Sequence, residues 1–237
     1  MRTIVVTGAA GGIGRATLPR LAARDVHLLC IDVSPAAVER LDLHALPGEA
    51  SVAAAVLADA GGCRRLLDPH RGRVAGLVHL AGVFETDPRG IDDMAVYDRA
   101  IAHNLTNAYL MAHAVYEARA SGRPGAMVFI SSSAFRRGAP DHVPYGIAKA
   151  GLVGLTRSLG RRFAPDWRVN ALAPGLIDTA MRAAVLRERG STAAAGVPLG
   201  RIGRPEEVAG ASAFLMSGEA SFISCQTINV DGGMLHS

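Results

Sequence analysis

Short apolar runs rich in β-branched residues alternate with longer stretches of helical period along this chain. The runs at 3–7 (TIVVT), 26–32 (VHLLCID), 52–56 (VAAAV), 76–82 (GLVHLAG), 126–131 (AMVFIS), 168–172 (RVNAL) and 226–230 (QTINV) predict strands. Their apolarity is continuous rather than alternating, which demands cover on both faces, as in a parallel sheet. Helical patterns fall between them at 12–23, 35–41, 62–68, 94–120, 144–164 and 205–217. This alternation predicts an α/β fold: a Rossmann-like, doubly wound parallel sheet of about seven strands with helices on both faces. No repeat, low-complexity linker or boundary interrupts residues 1–237, so a single domain is expected. The alanines at 52–56 would serve a helix equally well, which leaves the third strand the least determined. Two local rules are broken. Pro19 falls inside the first helix, where it removes a hydrogen bond. Asn104 and Asn107 fall within the long helix, where asparagine is a poor former.

Composition narrows the picture. With 49% hydrophobic and 19% charged residues the chain can bury a large core and is not disordered. Aromatics make up only 5%, so Ala, Val, Leu and Gly fill their place, which suits helices packed closely on a sheet. The formal charge of +4 is spread as single or paired arginines. The densest cluster, RSLGRRFAPDWR, reads as a solvated helix face; no basic stripe interleaved with aromatics points to nucleic acid. Cys30, Cys63 and Cys225 are odd in number and far apart, which fits reduced thiols in a cytosol. The first residues run straight into a strand with no signal-peptide core, and no segment approaches a membrane span. A soluble, cytoplasmic protein without a membrane partner or a metal is expected.

The stretch TGAAGGIG (7–14) follows the first strand and opens a helix. Gly8, Gly12 and Gly14, with Gly11 and Ile13 in the same turn, let the chain turn tightly and bring backbone N–H groups onto a pyrophosphate. Any sharp strand-to-helix turn looks similar. Here, however, the second strand ends in Asp32, eighteen residues beyond Gly14, where an acid can accept the adenosine ribose hydroxyls. Asp32 and its neighbour Val33 also bear on cofactor choice. A carboxylate ~4 Å from the extra phosphate of NADP opposes it by several kcal/mol at an effective dielectric of ~20, and by ~2 kcal/mol after screening. No basic residue at 9–11 or at Val33 offsets this, and Arg15 reads as a surface residue pointing along the helix. NAD(H) is therefore expected in preference to NADP(H).

Chemistry is suggested by VPYGIAKAG (143–151). Lysine and arginine together number 25, yet a single one of them, Lys149, is lysine. Pro144 suits the first position of a helix, which places Tyr145 in the first turn and Lys149 one turn on along the same face. A free phenol ionises near pH ~10. An ammonium ~5.5 Å away at an effective dielectric of ~20 favours the phenolate by about 3 kcal/mol, and the helix N-terminus adds ~0.3–1. A compact ammonium with rotatable donors can also hold ribose hydroxyls, which a planar guanidinium cannot do in the same space. The plain alternative is a surface tyrosine and lysine at helical spacing. Ser132 follows the strand at 126–131, where its hydroxyl can stabilise charge growing on a carbonyl oxygen.

Taken in order, TGAAGGIG, a serine thirteen residues before YGIAK, and NALAPGLIDTAM resemble the short-chain dehydrogenase/reductase family. The resemblance extends over essentially the whole chain, down to GRIGRPEEVAGASAFLMS and the terminal INVDGG. It implies a catalytic set of Asn104, Ser132, Tyr145 and Lys149, the spacing to Tyr145 selecting Ser132 over Ser131 and Ser133. Asn104 matches the helix asparagine that in relatives holds a water joining the lysine to solvent; an ordinary buried amide is the alternative. The resemblance further implies cofactor contacts from Asp59 near adenine, from Ala81 and Gly82 beside the ribose, and from Pro174, Gly175, Ile177 and Thr179 at the nicotinamide carboxamide. The short segment 43–58 makes the alignment of Asp59 loose. HLAG (79–82) departs from the family's Asn-Asn-Ala-Gly, so His79 reads as a packing residue, and Cys225 stands where relatives often carry glycine.

The function implied is an NAD-dependent oxidoreductase that interconverts a secondary alcohol and a ketone. A 3-oxoacyl-(acyl-carrier-protein) reductase is the runner-up, though the resemblance links those to NADPH. A methyltransferase would have no use for Ser132, Tyr145 and Lys149, and a non-enzymatic NAD-sensing protein would have little reason to keep them. The substrate is expected between segments 84–87, 134–143 and a flap at 179–197 that contains Gly190 and Gly196. Arg136 and Arg137 could meet an anionic substrate or simply be solvated. A homotetramer is expected through the two long helices and the last strand, with a dimer left open.

Overall fold

A computed structural model describes residues 1–87, 90, 92–183, 192 and 194–235 of the chain. Its sheet has seven strands: β1 (Arg2–Thr7), β2 (Val26–Asp32), β3 (Glu49–Ala54), β4 (Val74–His79), β5 (Gly125–Ile130), β6 (Trp167–Pro174) and β7 (Thr227–Val230). They lie in the order β3-β2-β1-β4-β5-β6-β7, every pair parallel. The order reverses between β1 and β4, and a crevice opens there beyond the carboxyl ends of the strands.

The helices are α1 (Gly12–Leu21), α2 (Pro35–Val38), α3 (Ala60–Leu67), α4 (Ala95–Ile101), α5 (Asn107–Glu117), α6 (Ala134–Arg137), α7 (Val143–Arg162) and α8 (Pro205–Met216). The continuous apolar runs are explained by their cover. On one face Leu77, Met127, Phe129 and Val169 pack under Leu67, Met111, Val115 and Leu152; on the other, Val6, Leu28 and Val78 meet α1. Val128 and Leu172 meet α8 on that second face. Each fully buried Leu or Phe contributes about 1.5–3 kcal/mol, so the sheet that carries the site is rigid. The cysteines are free thiols, and burial pushes Cys30 up to about 12, which makes it inert.

Three expectations need correction. The third strand runs over Glu49–Ala54 rather than 52–56, because pairing with β2 from His27 to Asp32 sets its register. Helix α2 stops after four residues instead of reaching 41. The long helix at 94–120 is not uniform: a π-helical turn, Ala102–Thr106, joins α4 to α5. Pro19 does not break α1; it is exposed in the last turn, and the helix ends two residues beyond it.

Candidate active site

The cleft beyond β1, β2 and β4 encloses about 480 Å³ and is lined by Gly8, Gly11, Asp32, Val33, Leu57 and Ala81, among others. The glycine turn is built by close approach. Gly8 adopts φ +65, and a Cβ there would lie 2.7 Å from Ala81 N; one on Gly14 would lie 2.3 Å from Gly8 O. The first turn of α1 carries no side-chain cap and no acid, so its N–H groups are left for an anion. Asp32, half-buried at the end of β2, accepts from Ala10 N at 2.9 Å, Val33 N at 2.8 Å and Ser34 N at 3.5 Å. An uncapped helix terminus, a cradle that side chains would fill and an anchored acid fit a dinucleotide. Two expectations shift here. Asp59 is exposed and accepts from Gly62 N at 2.8 Å as the cap of α3, while Leu57 from the same segment lines the cleft. Arg15 is exposed but does not point away along α1; it folds back onto the turn, donating to Ala10 O at 3.0 Å.

A smaller cavity of about 90 Å³ shares Leu80, Gly82 and Met181 with this cleft and holds Asn104, Ser132, Tyr145 and Lys149 together. Ile13, Pro174, Gly175, Ile177 and Thr179 line it too. Tyr145 is 7% exposed and Lys149 6%, which removes the surface reading of this pair. Lys149 Nζ donates to Ile130 O at 2.9 Å and stands 5.5 Å from the centre of the Tyr145 ring. The three serines after β5 are sorted by their bonds. Ser131 Oγ donates to Lys149 O at 2.7 Å and ties α7 to β5, whereas Ser133 N donates to Pro174 O at 2.9 Å. Ser132 lines the cavity, its Oγ accepting from Ala134 N at 3.2 Å, which leaves the hydroxyl proton for another acceptor.

Asn104 is fully buried in the π-helical turn. Its Nδ2 donates to Val83 O at 3.1 Å and Ala100 O at 2.9 Å, and its Oδ1 accepts from Val83 N at 3.2 Å. The side chain therefore braces the loop after β4. Gly82 makes room for it: a Cβ there would lie 2.5 Å from Asn104 Oδ1 and 3.4 Å from Lys149 Nζ.

The segments 84–87 and 134–143 expected at the substrate pocket meet there through contacts that the sequence does not show. Phe84 stands edge-on to Tyr145 with ring centres 4.9 Å apart, and 3.9 Å from His142. His142 Nδ1 lies 2.8 Å from Glu85 O, an oxygen that only accepts, so Nδ1 carries the proton. A hydrogen bond from Arg99 holds the Glu85 carboxyl below its ordinary value and pins this loop to α4. No periodicity marks such contacts between loops. Of the predicted substrate-facing arginines, Arg136 is exposed beside Phe135, and Arg137 reaches Met234 Sδ at 3.7 Å. Gly190 in the predicted flap lies outside the described residues. Among those residues no cluster suited to a metal occurs, and no helix is long and apolar enough to cross a membrane.

A family model described as enoyl-(acyl carrier protein) reductase matches residues 8–235. The chain belongs to the short-chain dehydrogenase/reductase family of oxidoreductases. An uncharacterized short-chain type dehydrogenase/reductase of Sinorhizobium fredii is 38% identical over 244 residues, 99% of this chain, which spans 44% of that protein's length. A 3-oxoacyl-(acyl-carrier-protein) reductase of Thermotoga maritima is 31% identical over 240 residues, covering 99% of this chain and 98% of the relative. Among solved structures, a Beutenbergia cavernae protein described as a putative NAD(P)-dependent gluconate 5-dehydrogenase, with NADP bound at low occupancy, aligns with a TM-score of 0.89 at 33% identity. That alignment covers 100% of this chain and 97% of the other. Within the family's frame, His79 is a neutral buried residue. Burial, with the Lys149 charge adding to it, lowers it to about 3, and Thr7 Oγ1 lies 2.9 Å from its Nδ1.

Proposed function

We propose that this short-chain dehydrogenase/reductase interconverts a secondary alcohol and a ketone with NAD(H), used in preference to NADP(H). The observation that carries this reading is the burial of Ser132, Tyr145 and Lys149 around one cavity that opens into the cleft over Asp32. Gly8, Gly11, Gly12, Ile13 and Gly14 would hold the pyrophosphate, Asp32 the adenosine ribose, Lys149 the nicotinamide ribose, and Pro174, Gly175, Ile177 and Thr179 the carboxamide. When bound, the nicotinamide supplies the hydride acceptor or donor. In the oxidising direction the Tyr145 phenolate takes the substrate hydroxyl proton while Ser132 donates a hydrogen bond to the same oxygen. Lys149 would stabilise the phenolate by its charge. Asn104 holds the π-turn that frames the lysine, beside the route by which the proton returns to water.

Tyr145→Phe tests this: turnover should fall at least about a hundredfold while NADH still binds. Undiminished turnover, or silence of the wild-type enzyme with NAD⁺ across sugars, steroids, hydroxy acids and polyols, would overturn it. The likeness to the Thermotoga reductase supports a second reading, reduction of a 3-oxoacyl thioester on a carrier protein. A marked preference for NADPH in initial rates would favour that reading. We place the enzyme in the cytoplasm as a homotetramer.

A further inference from the structure

The buried imidazole of His79 has a different element at each nitrogen. Nδ1 stands 2.9 Å from Oγ1 of Thr7, the last residue of β1. That oxygen accepts from Ala81 N at 3.3 Å, so its own proton is the one that goes to Nδ1. The ring is neutral, and an accepting Nδ1 leaves its proton on Nε2. Nε2 and Asn107 Oδ1 are both buried, and among the described residues neither makes a hydrogen bond of ordinary geometry. Asn107 is nevertheless the side chain close enough to favour a proton on this ring. A donor and an acceptor left over on neighbouring side chains satisfy each other, since a buried polar group without a partner is costly. The π-helical turn explains how Asn107 is oriented. Its backbone N–H donates five residues back, to Ala102 O, and not to His103 O four back. The side chain supplies that carbonyl instead, Nδ2 donating to His103 O at 2.7 Å. With Nδ2 engaged there, Oδ1 is turned to His79. Hydrogen bonds therefore run one way from Ala81 N–H through Thr7, His79 and Asn107 to the turn that carries Asn104. Thr7, Ala81, His103 and Asn107 line the cofactor cleft, and His79 sits behind them.

We propose that His79 is a positioning residue: through Asn107 it fixes the π-helical turn, and with it Asn104 and the space around Lys149, against the wall of the cleft. The inference rests on the oxidoreductase reading above and adds to it a residue that touches neither cofactor nor substrate. An amide of either length can hold one end of this chain. Asparagine puts a polar atom where Nδ1 is and keeps Thr7, whereas glutamine puts one where Nε2 is and keeps Asn107.

The test compares His79→Asn, His79→Gln and Asn107→Leu for Tm, NADH binding and steady-state rates with whichever secondary alcohol supports turnover. All three should melt earlier than wild type, because each orphans a buried group. His79→Asn and Asn107→Leu should lower kcat about tenfold or more while NADH affinity stays within about threefold. Their double variant should fall no further than the worse single one, since both break the same link. His79→Gln should keep kcat within about threefold despite its lower Tm. In the wild type, 15N spectra of labelled histidine should show the His79 ring, identified by its loss in His79→Asn, with the proton on Nε2 between about pH 5 and 8. A kcat that is the same in all three variants, or that merely tracks Tm across them, would overturn the proposal, as would a proton on Nδ1. Absence of turnover by the wild type with every alcohol would instead overturn the oxidoreductase reading on which it stands.

Discussion

Lys149 holds its ammonium 2.9 Å from the Ile130 carbonyl, with the open side of Gly82 next to it. Burying a charge this deeply is unfavourable unless hydrogen bonds and a developing anion compensate it, and Tyr145 is the group placed to become that anion. A guanidinium is wider and would press on Gly82 and Asn104. Lys149→Arg should therefore lower kcat at least about a hundredfold, measured with whichever secondary alcohol supports turnover, while the fold survives by circular dichroism. His79 gives a second prediction at this scale. An unfolded histidine ionises near pH ~6.5, but burial holds the folded one at about 3. Between those values the unfolded chain binds a proton that the folded chain refuses, so stability falls as pH drops, by up to about 1.4 kcal/mol per pH unit. Above pH ~6.5 the effect vanishes. His70 and His113, also lowered by burial, share in this slope. His79→Asn should remove its own part of the acid loss in urea midpoints between pH 6 and 4 while leaving other contributions; a slope equal to wild type would refute the assignment.

The helix carrying Asn104 shows what an element can hide from its pattern. Shifting to π-type bonding over Ala102–Thr106 leaves the apolar stripe almost unchanged, so periodicity reads one long helix from 94 to 120. The legible trace was chemical: asparagines at 104 and 107 in a place where local propensity disfavours them. Asn104 satisfies both backbone groups of Val83. Asn104→Ala would orphan them, at about 1–3 kcal/mol per buried group. A fall in Tm of several degrees is expected, at about 2–4 °C per kcal/mol for a chain of this size, together with reduced turnover. Strands in the middle of the sheet were legible because both faces are covered and their runs are largely apolar. The edge strand β3 was displaced because its partner β2, not its own alanines, sets the register. The early end of α2, closed by the Glu39 N–H on Pro35 O, escaped notice because the residues up to 41 suit a helix. Likewise Ser132, Tyr145 and Lys149 carry their spacing in one local stretch, whereas the Phe84–His142 wall joins loops far apart in sequence.

On the scale of the whole molecule, exposed apolar side chains among the described residues include two groups on different sides of the sheet. Tyr109 on α5 and Val143 and Ile147 on α7 are 47%, 47% and 45% exposed, on helices that cover one face of the sheet. Phe214 on α8 and Phe222 just before β7 are 40% and 102% exposed, at the other face and the free edge, where every residue of β7 is only half-buried. Exposed aromatics at an open strand edge favour pairing with another copy. Were each patch to pair across its own two-fold axis, the proposed closed four-subunit assembly would follow, since one two-fold interface alone stops at a dimer. Light scattering should accordingly give about four times the 24.6 kDa chain mass. Tyr109→Asp and Phe222→Asp should each yield dimers, and the double variant monomers. Because Val143 and Ile147 sit in the same first turns of α7 as Tyr145, loss of the helical interface should also lower turnover, whereas loss of the strand-edge interface should leave it closer to wild type. A wild type that stays monomeric at high concentration would remove both interfaces together.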